Sequence, residues 1–463
     1  MYASMSAGSL QRNTQRLPAR APLERAAREL MARVATVALP DSGAFTRVEV
    51  AIDVHASSEP CDMLHWLRAA SAGTRRYFRD RTAKCEIGGI GRCVSTTFGQ
   101  HETWKQQGSG VGLERASAWF VAIPFDSSRA RDVEWTGWSH TECVLPEIEL
   151  RRDGELHTLA VNISAQSSRE SFMDQLDALA QPVLSCTIEP ALVRECDGDG
   201  EAQWSRAVRG GLERIRSGAL RKIVIARRRA YAASGLLDPV AVLARLAARE
   251  SRGFRFLVEA GQGKAFLGVT PERLVSRSGR IVRSEAVAGT RPRGVDGVAD
   301  RLLGESLLAS AKDRREHEIV VERVREALAT CATSLRVDAQ PRLLRLAYVQ
   351  HLTTRVYAEI RAGVSDADLV ALLHPTPAVA GAPVAEAIEA LRDFEPFDRG
   401  LYAGAVGIVS SDGAEISVAI RSARIDGDRL TAYAGAGIVE GSDAAEEWRE
   451  TGHKLLAFER LAT

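Results

Sequence analysis

Lysine is scarce in this sequence. Only Lys84, Lys105, Lys222, Lys264, Lys312 and Lys454 stand against fifty-five arginines. Codon bias explains such a skew as readily as function does, but it makes each lysine worth questioning. An excess of one charge is also missing. Lys+Arg 61 against Asp+Glu 60 leaves a net charge of +1, so there is no electrostatic footprint for nucleic acid. No block of like charges forms a tail. No apolar run approaches the roughly 18 residues that a membrane-crossing helix needs. No CxxC occurs, and the seven cysteines (Cys61, Cys85, Cys93, Cys143, Cys186, Cys196 and Cys331) are odd in number. Neither a disulfide framework nor a zinc site is indicated, and the thiols read as reduced, in a cytoplasmic protein. No secretory apolar segment is present. Residues 1–23 lack any acid and carry Arg12, Arg16 and Arg20, faintly like a transit peptide, and read as a loose terminus.

What is present is an ordinary globular balance, 45% apolar and 26% charged over 463 residues. Disorder, collagen and fibrous repeats are excluded, and the chain suffices for one large domain or two to three smaller ones. A helix is expected at 22–36, leading into the alternating strand TRVEVAIDV. From there to about residue 200 the pattern is mixed, with strand-like pieces such as AWFVAIPF and SCTIEP and no functional signature. The chain thus divides into a loose segment 1–22, a weakly patterned part 23–203, and a sharply patterned region 204–463. That last region opens with a helix (204–217) before the strand KIVIARRRAYAA, then a helix near 238–250 and short strands, with a hairpin about Ser278-Gly279. A long helix is expected over 305–331. A helix (383–392), the Gly-rich strands LYAGAVGIVS, AEISVAIRSARI and LTAYAGAGIV, and a helix (443–461) complete it. Antiparallel hairpins mixed with helices imply α+β layering.

Two helices carry the sharpest chemical signal. At about 100° per residue, Asp313, Glu316, Val320, Val324, Ala327 and Cys331 share one stripe, while Glu318, Glu322 and Glu326 face the other way. In the last helix Glu447, Glu450, Thr451, Lys454, Phe458 and Leu461 share a stripe. Each helix therefore offers a carboxylate pair to the interior, where unpaired charge is costly. A hard cation such as Mg²⁺ relieves that cost with oxygen ligands. A solvated helix N-terminus suits such acids equally well. Lys222 opens the apolar strand KIVIA. Desolvation there would depress its pKa and make a general base, unless it is an exposed strand-end lysine. Glu272 follows Pro271 where a buried-looking strand ends; it is either a general acid with a raised pKa or an ordinary turn residue. Arg421 in ISVAIRSARI shares a face with Ser417, Ala419 and Ala423, which describes either a cavity wall with a carboxylate-binding cation or tight sheet packing. The run Tyr433-Ala434-Gly435-Ala436-Gly437 leaves room for a ligand near the backbone, and it is not GxGxxG. His351 in YVQHLTTRV is either a hydrogen-bond donor or packed core.

Read together, KIVIARR (222–228), FLGVTPERL (266–274), EAVAGTRPRG (285–294), AKDRREHEIVV (311–321), HLTTRV (351–356), LLHPTPAVAGAP (372–383), EPFDRGLYAGAVG (395–407), VAIRSA (418–423), YAGAGIV (433–439) and EEWRETGHKL (446–455) resemble the chorismate-utilising enzymes, and among them the isochorismate synthases. The pieces stand in the family's order over about 204–463. The resemblance implies a large α/β fold with a β-sandwich core of mostly antiparallel sheets flanked by helices. It also implies Mg²⁺ and chorismate. It makes Lys222 the base that activates water and Glu272 the acid that protonates the departing 4-hydroxyl. Glu316 and Glu450 become magnesium ligands, with Asp313 and Glu447 holding the ion through water. Asp313 departs from the longer Glu of many relatives. Thr290, His351, Ala378, Tyr402, Arg421, Gly437 and Lys454 become substrate contacts. EIVVERVREAL replaces the DLxRND of many anthranilate synthases, so no glutaminase subunit is expected, and the chain reads as a monomer. Salicylate synthases, which run the same first step and then eliminate pyruvate, tend to carry Thr where this chain has Ala378. That favours stopping at isochorismate, with salicylate synthase as the alternative. A non-catalytic relative would not need Lys222, Glu272, Glu316 and Glu450 intact. The product's destination, menaquinone, siderophore or salicylate, is left open.

Overall fold

Where consecutive residues of a strand are apolar, both faces of the sheet are buried. In the strand Phe254–Gly261, Phe256 and Val258 enter one core while Leu257 enters another, as period-two geometry dictates. The structure is a computed structural model that describes residues 21–53, 62–70, 73–99, 108–111, 117–129, 131–139, 141–180, 190–195, 200–261 and 263–462. The expected loose terminus up to residue 20, nearly all of SCTIEP, Lys105, Cys61, Cys186 and Cys196 lie outside the described residues. Among those described, the strands form two sheets, of thirteen and ten strands. Neighbours pair antiparallel, except that Phe45–Ile52 runs parallel to Gly108–Val111.

One core lies between the sheets, where Ile223 and Phe266 of the larger meet Val275, Val356 and Val406 of the smaller. A second core covers the other face of the larger sheet with the helices Ala21–Thr36, Met63–Arg68, Arg169–Ala180 and Pro239–Arg249. This is the expected α+β layering about a β-sandwich. Residues before and after 203 share both sheets. Arg75–Arg79 pairs with Phe254–Gly261, and Trp119–Ile123 pairs with Ala405–Val409. Strand Arg429–Ile438 lies between Lys222–Ala233 and Ser422–Asp426. No helix among the described residues is long and apolar enough to cross a membrane.

Several expected elements form with local causes. Asp443 accepts from the Ala445 and Glu446 N–H groups and starts the helix Ala444–Glu459, satisfying donors that have no intrahelical partner. The hairpin of Arg273–Ser278 and Ile281–Pro292 turns at Gly279, whose φ of +56° suits glycine. Three expectations need correction. The single helix over 305–331 is two, Gly297–Ala309 and Ala311–Ala329, because Ser310 leaves helical geometry and caps the second by accepting from Asp313 N. Cys331 follows its end, and Leu461 likewise follows the last helix. The strand LYAGAVGIVS begins only at Ala405, after a turn. Finally, ISVAIRSARI is not one strand. Gly413–Val418 belongs to the smaller sheet and Ser422–Asp426 to the larger, and Arg421 sits in the joint with φ +52°.

Candidate active site

Helix Ala311–Ala329 turns Val320, Val324 and Ala327 inward and leaves Glu318 and Glu326 in water. Its first turns therefore carry Asp313 and Glu316 toward the sheets. Helix Ala444–Glu459 does the same with Glu447 and Glu450, above buried Thr451, Leu455 and Phe458. Each acid meets a cation: Glu316 Oε1 lies 3.0 Å from Lys222 Nζ, Glu450 2.7 Å from Lys454, Glu447 2.8 Å from Lys312, and Asp313 2.7 Å from Arg291. Glu272, Thr290, Glu316, His351, Ala378, Tyr402, Arg421, Gly437, Glu450 and Lys454 all line one cavity. Asp313 and Glu447 do not line it, and Lys222 stands just behind Glu316.

Lys222 is no exposed strand-end residue. Its side chain is wholly buried, and Nζ makes the ion pair to Glu316 without a hydrogen bond of good geometry. Strand pairing sets Gly437 opposite Val224. A Cβ at 437 would fall 2.1 Å from Glu316 Oε1 and 3.0 Å from Lys222 Cε. The glycine therefore makes room for the ion pair. Glu272 is 2% exposed. Burial, above all, pushes its carboxyl up to about 8; Lys222 offsets part of this, and Glu285 adds to it. Thr376 Oγ1 donates to Glu272 Oε1 at 3.5 Å. The carboxyl is protonated at neutral pH, so it is not an ordinary turn glutamate.

Burial, then neighbouring Glu450, pushes the Glu447 carboxyl up. For Glu450 burial acts the same way, but adjacent Lys454, together with Lys312 and Arg421, holds the group below its usual value. The donor set is all oxygen, with two carboxylates at the cavity and a third crowded behind them. Among the described residues no group of three or more His, Cys, Asp or Glu side chains is placed to hold a metal ion by itself. Such a set fits Mg²⁺, which takes one or two protein carboxylates and completes its shell with water and substrate oxygens.

The lining also holds Arg421, Lys454 and His351. Arg421 Nη2 donates to His351 Nε2 at 3.1 Å, so His351 carries its proton on Nδ1 and donates it to Gly289 O at 3.1 Å. Burial, then Arg421 and Lys454, holds His351 well below its usual pKa, and the ring is neutral. Gly289, with φ +73°, marks the irregularity between Ala288 and Thr290 that sets Thr290 opposite His351. Burial brings the Arg421 guanidinium down to about 10, still charged at neutral pH. Lys454 Nζ donates to Gly435 O at 2.8 Å. Tyr402 stacks on Tyr433 at 5.0 Å, and burial raises its hydroxyl. Two residues were not singled out from sequence. Thr376 supports Glu272, and His317 is buried with Nε2 2.7 Å from Thr354 Oγ1. His317 stands one position off the acid stripe, where helical periodicity gives it no distinction.

Buried acids, lysines and an arginine about one cavity define an enzyme site for a small molecule. The chain belongs to the chorismate-binding enzymes, whose family model matches residues 44–461. It is 32% identical over 370 residues to the isochorismate synthase MenF of Bacillus subtilis (strain 168), covering 79% of this chain and 78% of that one. It is 35% identical over 350 residues to the salicylate biosynthesis isochorismate synthase of Pseudomonas aeruginosa, 72% of each. The solved structure of MenF, the menaquinone-specific isochorismate synthase from Escherichia coli, matches with a TM-score of 0.82 at 27% identity, covering 96% of this chain and all of that one.

Proposed function

We propose that this enzyme is a Mg²⁺-dependent isochorismate synthase, adding water at ring C2 of chorismate as the C4 hydroxyl departs. Nucleophile and leaving group lie on opposite edges of the ring, so the reaction needs a base and an acid on opposite sides. Acting as the neutral amine, once its own proton has passed to solvent, Lys222 Nζ takes a proton from the water. Glu272 gives one to the leaving hydroxyl, and the ring double bonds shift between the two carbons. Arg421, Lys454, Thr290 and Tyr402 hold the substrate, with His351 fixing the Arg421 fork. Glu316 and Glu450 would hold Mg²⁺, which when bound supplies charge stabilisation at the ring carboxylate; Asp313 and Glu447 back them. Ala378 offers a small wall without a hydrogen-bonding group, which supports release at isochorismate rather than a bent pose that eliminates pyruvate.

The observation that carries this reading is Glu272, kept protonated at neutral pH in the cavity that Glu316 and Glu450 line and Lys222 adjoins. Chromatography of products from chorismate tests it. Isochorismate is expected from the first turnovers, lost in excess EDTA and restored by Mg²⁺. Lys222→Ala should slow its formation by about 10² to 10⁴. Stoichiometric salicylate and pyruvate from the outset would assign the salicylate branch instead. Undiminished turnover in EDTA would remove the metal.

A further inference from the structure

Strand Lys222–Ala233 has one edge paired with Arg429–Ile438 from Ile223 to Ala232. Its other edge is covered only at its ends. Gly381–Ala382 pairs with Lys222 and Ile223, and Leu192–Arg194 pairs with Tyr231 to Ala233. Val224 N still reaches Ala380 O at 2.9 Å. Beyond that, among the described residues, no strand meets Val224 O or Ala226 N, and both residues are buried. Buried backbone groups need partners. Two side chains supply them. Glu395 Oε1 accepts from Ala226 N at 2.7 Å, and Arg399 Nη2 donates to Val224 O at 2.6 Å. Arg399 Nε also donates to Glu395 Oε2 at 2.7 Å, and the pair is 3% exposed on each side.

Arg399 has a third attachment. Its Nη1 donates to Val379 O at 2.7 Å. Val379 N in turn closes a turn on Thr376 O at 3.1 Å, and Thr376 is the residue that donates to Glu272. One guanidinium therefore ties the strand of Lys222 to the turn that supports Glu272. A planar fork serves the Val224 carbonyl, the Val379 carbonyl and a carboxylate from three separate nitrogens, whereas an ammonium has its three donors on one atom.

We propose that the Glu395–Arg399 pair replaces a missing partner strand and acts as a positioning device, setting the distance between Lys222 and Glu272. This rests on the isochorismate synthase reading, in which those two residues work on opposite sides of one ring. Misplacing reacting groups by about 1 Å costs on the order of a hundredfold in rate. The pair makes no hydrogen bond to the Arg421 or Lys454 side chain, and it meets Tyr402 only as the Arg399 guanidinium over the ring, 5.9 Å from its centre, so binding should be largely spared.

The test compares the parent with Arg399→Lys and Glu395→Gln in steady-state turnover of chorismate, with folding followed by circular dichroism and thermal melts. Folded variants should lose about 10- to 100-fold in kcat while KM stays within about threefold. Parental kcat in either folded variant overturns the proposal. So does a loss confined to KM. If Arg399→Lys fails to fold, the milder Glu395→Gln decides alone; failure of both to fold means the pair serves folding and overturns positioning. A parent enzyme that leaves chorismate untouched overturns the proposed function instead.

Discussion

Glu272 holds an uncharged carboxyl where ionisation would be natural, and that has a measurable cost. Its folded pKa is about 8, against 4.5 ordinarily. Between those values the native state keeps a proton that the unfolded chain has released, so stability falls as pH rises across the window. Glu272→Gln removes this linkage. The variant should match the parent near pH 4, gain on it progressively toward pH 8, and lose turnover by about 10² to 10⁴. Urea melts across that range read the effect, and a pH-independent difference would contradict it. Gly437 makes a different demand. A methyl there meets the free end of the Glu316 side chain, not backbone, so the fold tolerates it but the carboxylate must move. Gly437→Ala should melt within a few degrees of the parent yet lose most activity and require more Mg²⁺ for half-maximal rate. Parental Mg²⁺ dependence would show that Glu316 need not stand where it does.

The joint between Val418 and Ser422 shows how an element can mislead a reader of sequence. Small and apolar residues alternate through ISVAIRSARI as in one strand, and alternation cannot register a chain that leaves one sheet to join another. The crossing puts Arg421 in left-handed geometry at φ +52°, which costs a non-glycine residue about 1–2 kcal/mol. Arg421→Gly relieves that strain while losing the fork on His351. Its thermal midpoint should stay near the parent's while KM for chorismate rises about 10- to 100-fold. A KM unchanged in the folded variant would take Arg421 out of substrate binding. The inward acids were legible because helical periodicity is local: Glu316 and Glu450 fall on the same stripe as their buried neighbours. Lys222 and Glu272 were legible by resemblance, and each pattern alone left a bland alternative standing. Thr376, Glu395 and Arg399 were not, because their partners lie on segments more than a hundred residues away or on backbone atoms that no side-chain pattern marks. The break at Ser310 is not legible in the sequence, because apolar periodicity continues on both sides of it.

At the scale of the whole molecule, neither sheet can be built from residues 204–463 alone. Without Arg75–Arg79 and Trp119–Ile123, the strands Phe254–Gly261 and Ala405–Val409 present open edges, and open edges aggregate. A fragment 204–463 should be insoluble or melt without cooperativity, whereas the full chain should show one main transition bearing strands of both halves. A soluble, cooperatively folding fragment would show that the earlier strands are dispensable. The interleaving also has a consequence in time. Strand Lys222–Ala233 is made long before its neighbour Arg429–Ile438 exists. At ~5–20 residues per second of synthesis, roughly 200 residues of further translation leave that edge bare for about 10 to 40 seconds. During that interval the nascent chain carries the apolar start of this strand, IVIA, without the neighbour that later buries it. It is then a natural client for a chaperone that holds unfinished chains at the ribosome.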